Sequence, residues 1–349
     1  EDFIVIMAVT VVLDVLSTMP FAKLRLNNRP IKFAVIKLLS IAINVFLNIF
    51  FLSICPFLQQ KFGSPTWMNW FNIDYGIGYV FISNLIASAV TLVALKSELK
   101  FKLTYDSDLF RRMLRYSFPI LIVGITGMVN QNIDKILIPI IMDESMNPMQ
   151  QLGIYTASFK MAVVLNMFVQ AFRFAFEPFI FSQKNDDNTR KIYAIVMKYF
   201  VILGLVMFLG MTTFIDLAKY MISAEYREGI AIVPVVLLGN LFMGIYFNLS
   251  LWYKLTDRTM IGAYLGIFGS IVSILMNVLL IPILGYWASA LSILVCFALM
   301  SLISYLMGQK HFKIPYDLKR FAFYLGISLL FYFIYWKLRT ETNPQFVLA

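Results

Sequence analysis

Ile261-Gly-Ala-Tyr-Leu-Gly-Ile-Phe-Gly-Ser-Ile-Val-Ser-Ile-Leu-Met-Asn-Val-Leu-Leu-Ile-Pro-Ile283 decides the fold, because this stretch contains no Asp, Glu, Lys or Arg. As a helix rising about 1.5 Å per residue it reaches about 34 Å, enough to cross about 30 Å of hydrocarbon. Nine further stretches read the same way, at 3–22, 33–55, 71–95, 116–141, 153–181, 192–215, 230–252, 286–308 and 320–338. Composition agrees with that reading. The 349 residues are 60% apolar and 14% charged, with mean hydropathy +0.79. A soluble chain is about 45–50% apolar and about 25% charged. The expected fold class is all-α, a polytopic transmembrane bundle of about ten helices.

Charge outside these stretches is distributed unevenly. If the loops are numbered alternately, one set (23–32, 96–115, 182–191, 254–259 and 309–320) carries 19 of the 29 Lys and Arg. The opposite set carries five, and five more lie within the helices: Lys37, Lys135, Lys160, Arg173 and Lys198. By the positive-inside rule the basic loops face the cytoplasm and both termini face outward. The net charge of +10 is therefore a topology signal. With no soluble basic domain, it does not suggest nucleic-acid binding. Cys55 and Cys296 lie in apolar runs and offer no disulfide framework, and His311 is the only histidine, so neither a metal nor any other cofactor is expected.

An internal repeat organises the helices. Lys23-Leu-Arg-Leu-Asn-Asn-Arg-Pro30 leads into a helix bearing Asn48. Trp252-Tyr-Lys-Leu-Thr-Asp-Arg-Thr259 leads into one bearing Asn277. Arg29 and Arg258 are 229 positions apart, as are Asn48 and Asn277, Leu26 and Leu255, and Ala34 and Ala263. The first three helices then correspond to the seventh, eighth and ninth. The expected architecture is two pseudo-symmetric six-helix halves in parallel orientation, with the first half incomplete and about three helices preceding residue 1. Residues 1–110 would be the remainder of the N-terminal bundle, 111–308 the C-terminal six-helix bundle, and 309–349 an additional transmembrane helix.

Tyr116-Ser-Phe-Pro-Ile120, Asn130-Gln-Asn-Ile-Asp-Lys135, Leu152-Gly-Ile-Tyr-Thr-Ala-Ser-Phe-Lys160 and Phe172-Arg-Phe-Ala-Phe-Glu-Pro-Phe179 resemble segments of bacterial O-antigen-type polysaccharide flippases. These belong to the multidrug/oligosaccharidyl-lipid/polysaccharide exporter superfamily. The loop at 23–30 fits the same family, and the likeness extends over nearly the whole chain. It implies a monomeric inner-membrane protein without cofactors. Such a protein moves a polyprenyl-pyrophosphate-linked oligosaccharide between leaflets by alternating access.

That task needs polar helix faces and cations to replace phosphate hydration, and each charge inside hydrocarbon needs a reason. Asn166, Gln170, Arg173 and Glu177 fall within about 60° on one helix. They form either a cavity wall in which Arg173 meets the pyrophosphate, or an Arg–Glu pair that docks helices. Pro178 is expected to end or kink that helix, and Tyr155 and Phe159 to extend its polar face. Lys37, Ser40, Asn44 and Asn48 share a face of the second helix. The matching face of the eighth carries Gly266, Ser270, Ser273 and Asn277, where small-residue packing is the competing reading. Asp134 and Asp14 are candidates for coupling transport to H⁺ or Na⁺, or for pairing with a Lys or Arg across the bundle.

No nucleotide-binding loop or hydrolase motif appears, so no enzymatic activity is expected. The outward loops, about 15 residues at most, are short for a polymerase or glycosyltransferase acting on the same lipid-linked sugars. A multidrug exporter of the superfamily remains the other reading, although five basic against three acidic residues within the helices favour an anionic cargo.

Overall fold

Apolar chain in lipid must satisfy its backbone internally, and each of the ten stretches is built mainly of helix for that reason. The computed structural model describes residues 2–27, 29–62, 71–99, 106–182, 187–256 and 258–342. Among them there is no strand. Eight helices are long and apolar enough to span a membrane; a bent pair makes a ninth span, and one apolar helix is shorter. The chain divides into two compact units, Glu1–Tyr105 and Asp106–Ala349.

The first unit holds α1 (Asp2–Leu26), α2 (Pro30–Ile49) and α4 (Gly78–Ala94). Pro30 opens α2, where its missing N–H costs nothing. A π-helical turn, Phe50–Ile54, joins α2 to α3 (Cys55–Phe62). The stretch expected to be helical from residue 71 is instead a loop and a short 3-10 turn, Ile73–Tyr75, before α4 begins. Tyr79 stacks there on both Phe51 and Phe71, in a cluster with Cys55. Only 11% of the most apolar window of α1 and 6% of that of α2 is buried. Their outer faces present Val11, Val12, Leu38 and Ile41, as suits a surface wetted by lipid.

The second unit begins with α5 (Ser107–Ile141), nine residues before the expected start. Asp106 caps it, accepting from the N–H groups of Asp108 and Leu109 at 2.9 and 3.1 Å. After it come α6 (Pro148–Met161), α7 (Val163–Ser182), α8 (Asp187–Thr213) and the short α9 (Ile215–Ala218). The chain then continues through α10 (Val233–Leu249), α11 (Leu251–Leu255), α12 (Thr259–Leu284), α13 (Tyr286–His311) and α14 (Leu318–Thr342). Gly285, at φ 58°, turns the chain between α12 and α13 in a backbone conformation that suits glycine. The helix through α10 is the centre of the unit: 72% of its most apolar window is buried, against 6% for α14. Leu237 and Leu241 pack there with Leu165, Phe200 and Phe208.

The fifth apolar stretch is bent, though not where proline suggested. α6 and α7 meet at 49° across Ala162, whereas α7 runs through Pro178 to Ser182. The cause is a competing donor: Asn240 of α10, buried, gives its Nδ2 to the Ala162 carbonyl at 3.3 Å. The Asn166 N–H reaches that same carbonyl only at 3.4 Å. A side chain inserted into the helical ladder is a recognised source of kinks.

Candidate functional site

On α7 the positions Asn166, Gln170 and Arg173 follow one another at four and three residues and share one flank. Asn166 and Gln170 are half-buried, and the Asn166 Oδ1 has no hydrogen-bond partner among the described residues. Arg173 is half-buried too, its guanidinium carbon 4.9 Å from the centroid of the Phe247 ring on α10. This is a cation over an aromatic face. The crevice beside it, bounded by Arg173, Phe247 and Asn248, measures about 10 Å³, room for about one water. In this conformation Arg173 is seated in a packing contact, with too little space for a phosphate group. The side chain of Glu177 lies outside the described residues.

The bend at Ala162 takes Tyr155 and Phe159 off the α7 stripe. Tyr155, fully buried on α6, donates its hydroxyl to Asp134 Oδ2 on α5. The Lys135 backbone N–H donates to the other carboxylate oxygen at 2.8 Å. The Lys135 ammonium turns elsewhere, to Asn132 Oδ1 at 2.9 Å and to the Phe159 ring at 4.3 Å. Among the described residues no Lys or Arg forms an ion pair with Asp134. A lysine next door in sequence gave no hint of a tyrosine partner from another helix.

Small-residue packing accounts for the polar face of α12. Asn277 is fully buried; its Nδ2 donates to Ser273 O at 2.8 Å and to Ser292 Oγ at 3.0 Å, and its Oδ1 accepts from Ser289 Oγ at 2.8 Å. Ser289 and Ser292 belong to α13, so Asn277 joins the two helices. Further along, Gly266 lets Thr126 of α5 approach, and Ser270 Oγ reaches the Thr126 carbonyl at 3.4 Å.

In the first unit the polar face of α2 is half-buried at Ser40, Asn44 and Asn48 and open at Lys37. Asn48 Nδ2 donates to Asn44 O at 2.9 Å and to Asn44 Oδ1 at 2.8 Å, and Asn44 Nδ2 donates to Asn84 Oδ1 of α4 at 2.5 Å. The Asn48 Oδ1 is left without a partner. Lys37 is exposed, its ammonium 4.4 Å from the centroid of the Phe21 ring. Asp14, exposed on α1, accepts from Ser88 Oγ of α4 at 2.7 Å.

At one end of this unit stands a cluster that loop-charge counting passed over. Buried Glu98 faces Lys32 at 2.8 Å, Arg29 at 3.5 Å and Lys23 at 3.9 Å. The hydrogen bond from Lys32 and the charges of all three cations hold its carboxyl below the usual carboxylate range, against the effect of burial. Three of the basic residues read as topology signals therefore also tie α1, the turn before α2 and the Lys96–Glu98 turn together.

Helix order, the bent fifth span and the central α10 make a multi-pass, all-α membrane protein whose fold is similar to those of MATE and MurJ structures. A MATE protein in complex with MaL6 is 11% identical, with TM-score 0.66 over 93% of this chain and 70% of its own. Lipid II flippase MurJ, in an inward closed conformation, is 18% identical, with TM-score 0.61 over 95% of this chain and 67% of its own. A mutant MATE protein is 11% identical, with TM-score 0.59 over 90% and 67%. Residues 72–229, somewhat under half the chain, match the family model described as polysaccharide biosynthesis protein. No curated protein sequence matches the chain.

Proposed function

We propose that the protein is a flippase that carries a polyprenyl-pyrophosphate-linked oligosaccharide across a bacterial inner membrane for polysaccharide assembly, by alternating access. The observation that carries this reading is the α7 stripe. It sets a half-buried arginine and an unsatisfied asparagine oxygen in the middle of an apolar helix, within the segment that matches the polysaccharide biosynthesis family. Charge inside hydrocarbon is costly and marks a cargo or ion path. The family description and the flippase among the similar folds point the same way.

In this scheme Arg173 leaves Phe247 when the cavity opens and grips phosphate oxygens with two parallel hydrogen bonds. Glu177 orients it, Asn166 and Gln170 meet the sugar, and Lys37, Asn44 and Asn48 contribute to cargo binding. Asp14 or Asp134 takes up H⁺ or Na⁺. The basic loops face the cytoplasm, and the protein acts as a monomer.

The test is delivery of lipid-linked sugar to the outer leaflet, normalised to folded protein, in the full-length protein. Arg173→Gln is expected to abolish nearly all delivery and Arg173→Lys to lose much of it, because lysine offers only a point charge. Normal delivery per folded molecule by Arg173→Gln removes Arg173 from the cargo path. It leaves the contact with Phe247 as helix docking, and then Phe247→Leu lowers folded protein to the same degree.

A further inference from the structure

A cavity of about 580 Å³, open on one side, is recessed into the second unit between α8, α10, α13 and the start of α14. That volume is typical of a ligand site. Its walls are apolar, with Met197 and Val201 from α8, Ile245 and Leu249 from α10, Leu302 from α13 and Phe321 from α14. One end is formed by Tyr316 and Asp317, in the segment between α13 and α14. The cavity therefore runs from the level of the helix ends into the depth of the bundle. None of the α7 stripe lines it.

Three charged side chains line it: Lys198, Asp317 and Arg320. Asp317 and Arg320 neutralise each other at 2.8 Å. Lys198 is left over. It sits on α8 eight residues beyond Arg190, about 12 Å along the helix, and its only charge contact among the described residues is the ring of Tyr199, 5.5 Å away. An ammonium at that depth without an anion is costly. A long side chain of this kind reaches back toward the interface, here along a cavity whose walls reject water.

We infer that the cavity holds an anionic phospholipid of the surrounding bilayer, one acyl chain between α8, α10, α13 and α14 and its phosphate against Lys198. The walls exclude a free anion, which would gain nothing from apolar surface. The surplus positive charge selects an anionic head group over a zwitterionic one, whose own cation would approach Lys198. The lipid would fill the space behind α14, whose most apolar window is buried to only 6% by protein. This inference does not depend on the nature of the cargo.

The test uses the full chain in mild detergent, with lipid retention followed by native mass spectrometry and thermal unfolding. The probes are phosphatidylglycerol, phosphatidylcholine and inorganic phosphate. Wild type is expected to bind phosphatidylglycerol about tenfold more tightly than phosphatidylcholine and to ignore phosphate. Lys198→Gln should lose that preference. Ala298→Phe, which fills the cavity, should lose retention of both lipids while remaining monodisperse. Leu302→Trp, from a more exposed wall position, replaces it if Ala298→Phe fails to fold. Equal affinity of wild type for both lipids, a preference that survives Lys198→Gln, or undiminished retention in the filled variants overturns the inference. So does stabilisation by phosphate alone, or displacement of phosphatidylglycerol by an equimolar polyprenyl phosphate.

Discussion

The turn at residues 23–30 and the turn at 252–259 are built alike, yet the helices that follow them are used differently. In the first, the Asn27 N–H bonds to Lys23 O and the Arg29 N–H to Leu24 O. In the second, the Thr256 N–H bonds to Trp252 O and the Arg258 N–H to Tyr253 O, each partner shifted by the same 229 positions. α2 begins at Pro30 and α12 at Thr259. Further on, Asn48 and Asn277 bond back to the carbonyls of Asn44 and Ser273 at 2.9 and 2.8 Å. Beyond that the two diverge. Where α2 carries an exposed Lys37, α12 carries Gly266 under Thr126, and where Asn48 keeps an idle oxygen, Asn277 is sealed by two serines. One scaffold thus serves as a partly open polar face in one unit and as an internal joint in the other.

The comparison breaks most visibly at the Lys37/Gly266 pair. Gly266→Leu would drive a side chain into Thr126, so a loss of about 1–3 kcal/mol is expected, read as reduced folded yield and melting temperature. Lys37→Leu should leave both unchanged. Equal damage from the two would mean that the faces are not used differently.

Asn277→Leu is expected to cost about 1–2 kcal/mol, because it strands buried serine hydroxyls, and Asn48→Leu only about 0.5 kcal/mol. Denaturant unfolding in detergent ranks the two, and a larger effect at Asn48 would reverse the assignment of open and sealed faces.

The smallest effect belongs to Glu98. Its carboxyl titrates lower in the folded protein than in the unfolded chain, so its stabilisation is present above the ordinary glutamate range. It is lost as pH falls through the depressed folded value. Hydrogen-exchange protection around Leu95–Leu99, taken relative to the intrinsic rate at each pH, should therefore fall in acid for wild type. In Glu98→Gln protection should already be low at pH 7, with the two converging at low pH. Protection in Glu98→Gln equal to wild type at pH 7 would show that the three cations do not hold this turn.

Much of the fold was legible because lipid imposes one rule, that the backbone must close its own hydrogen bonds, and apolar length reports it directly. The break at Ala162 was not legible: its cause, Asn240, lies 78 residues downstream. Pro178, the obvious local signal, sits in continuous helix instead. For the same reason the stripe from Asn166 to Arg173 could be read by helical phase, whereas its extension to Tyr155 and Phe159 could not. Helical phase does not survive a bend. The alliance of Tyr155 with Asp134 joins two helices and leaves no periodic trace in either. Burial of the Ser270–Asn277 face and partial exposure of the Lys37–Asn48 face depend on which neighbours arrive, and a single helix does not specify that.

A continuous α-helix behaves as a shaft, because every i→i−4 bond passes torque to the next turn. At Ala162 the shaft is cut, with one carbonyl shared between a stretched backbone bond and the amide of Asn240. α6 stays clamped to α5 through Tyr155 and Asp134. In the proposed cycle this break lets α7 turn about its own axis, carrying Arg173 toward or away from Phe247, while α6 keeps its clamp. In that cycle the asparagine on α10 is the bearing of the coupling.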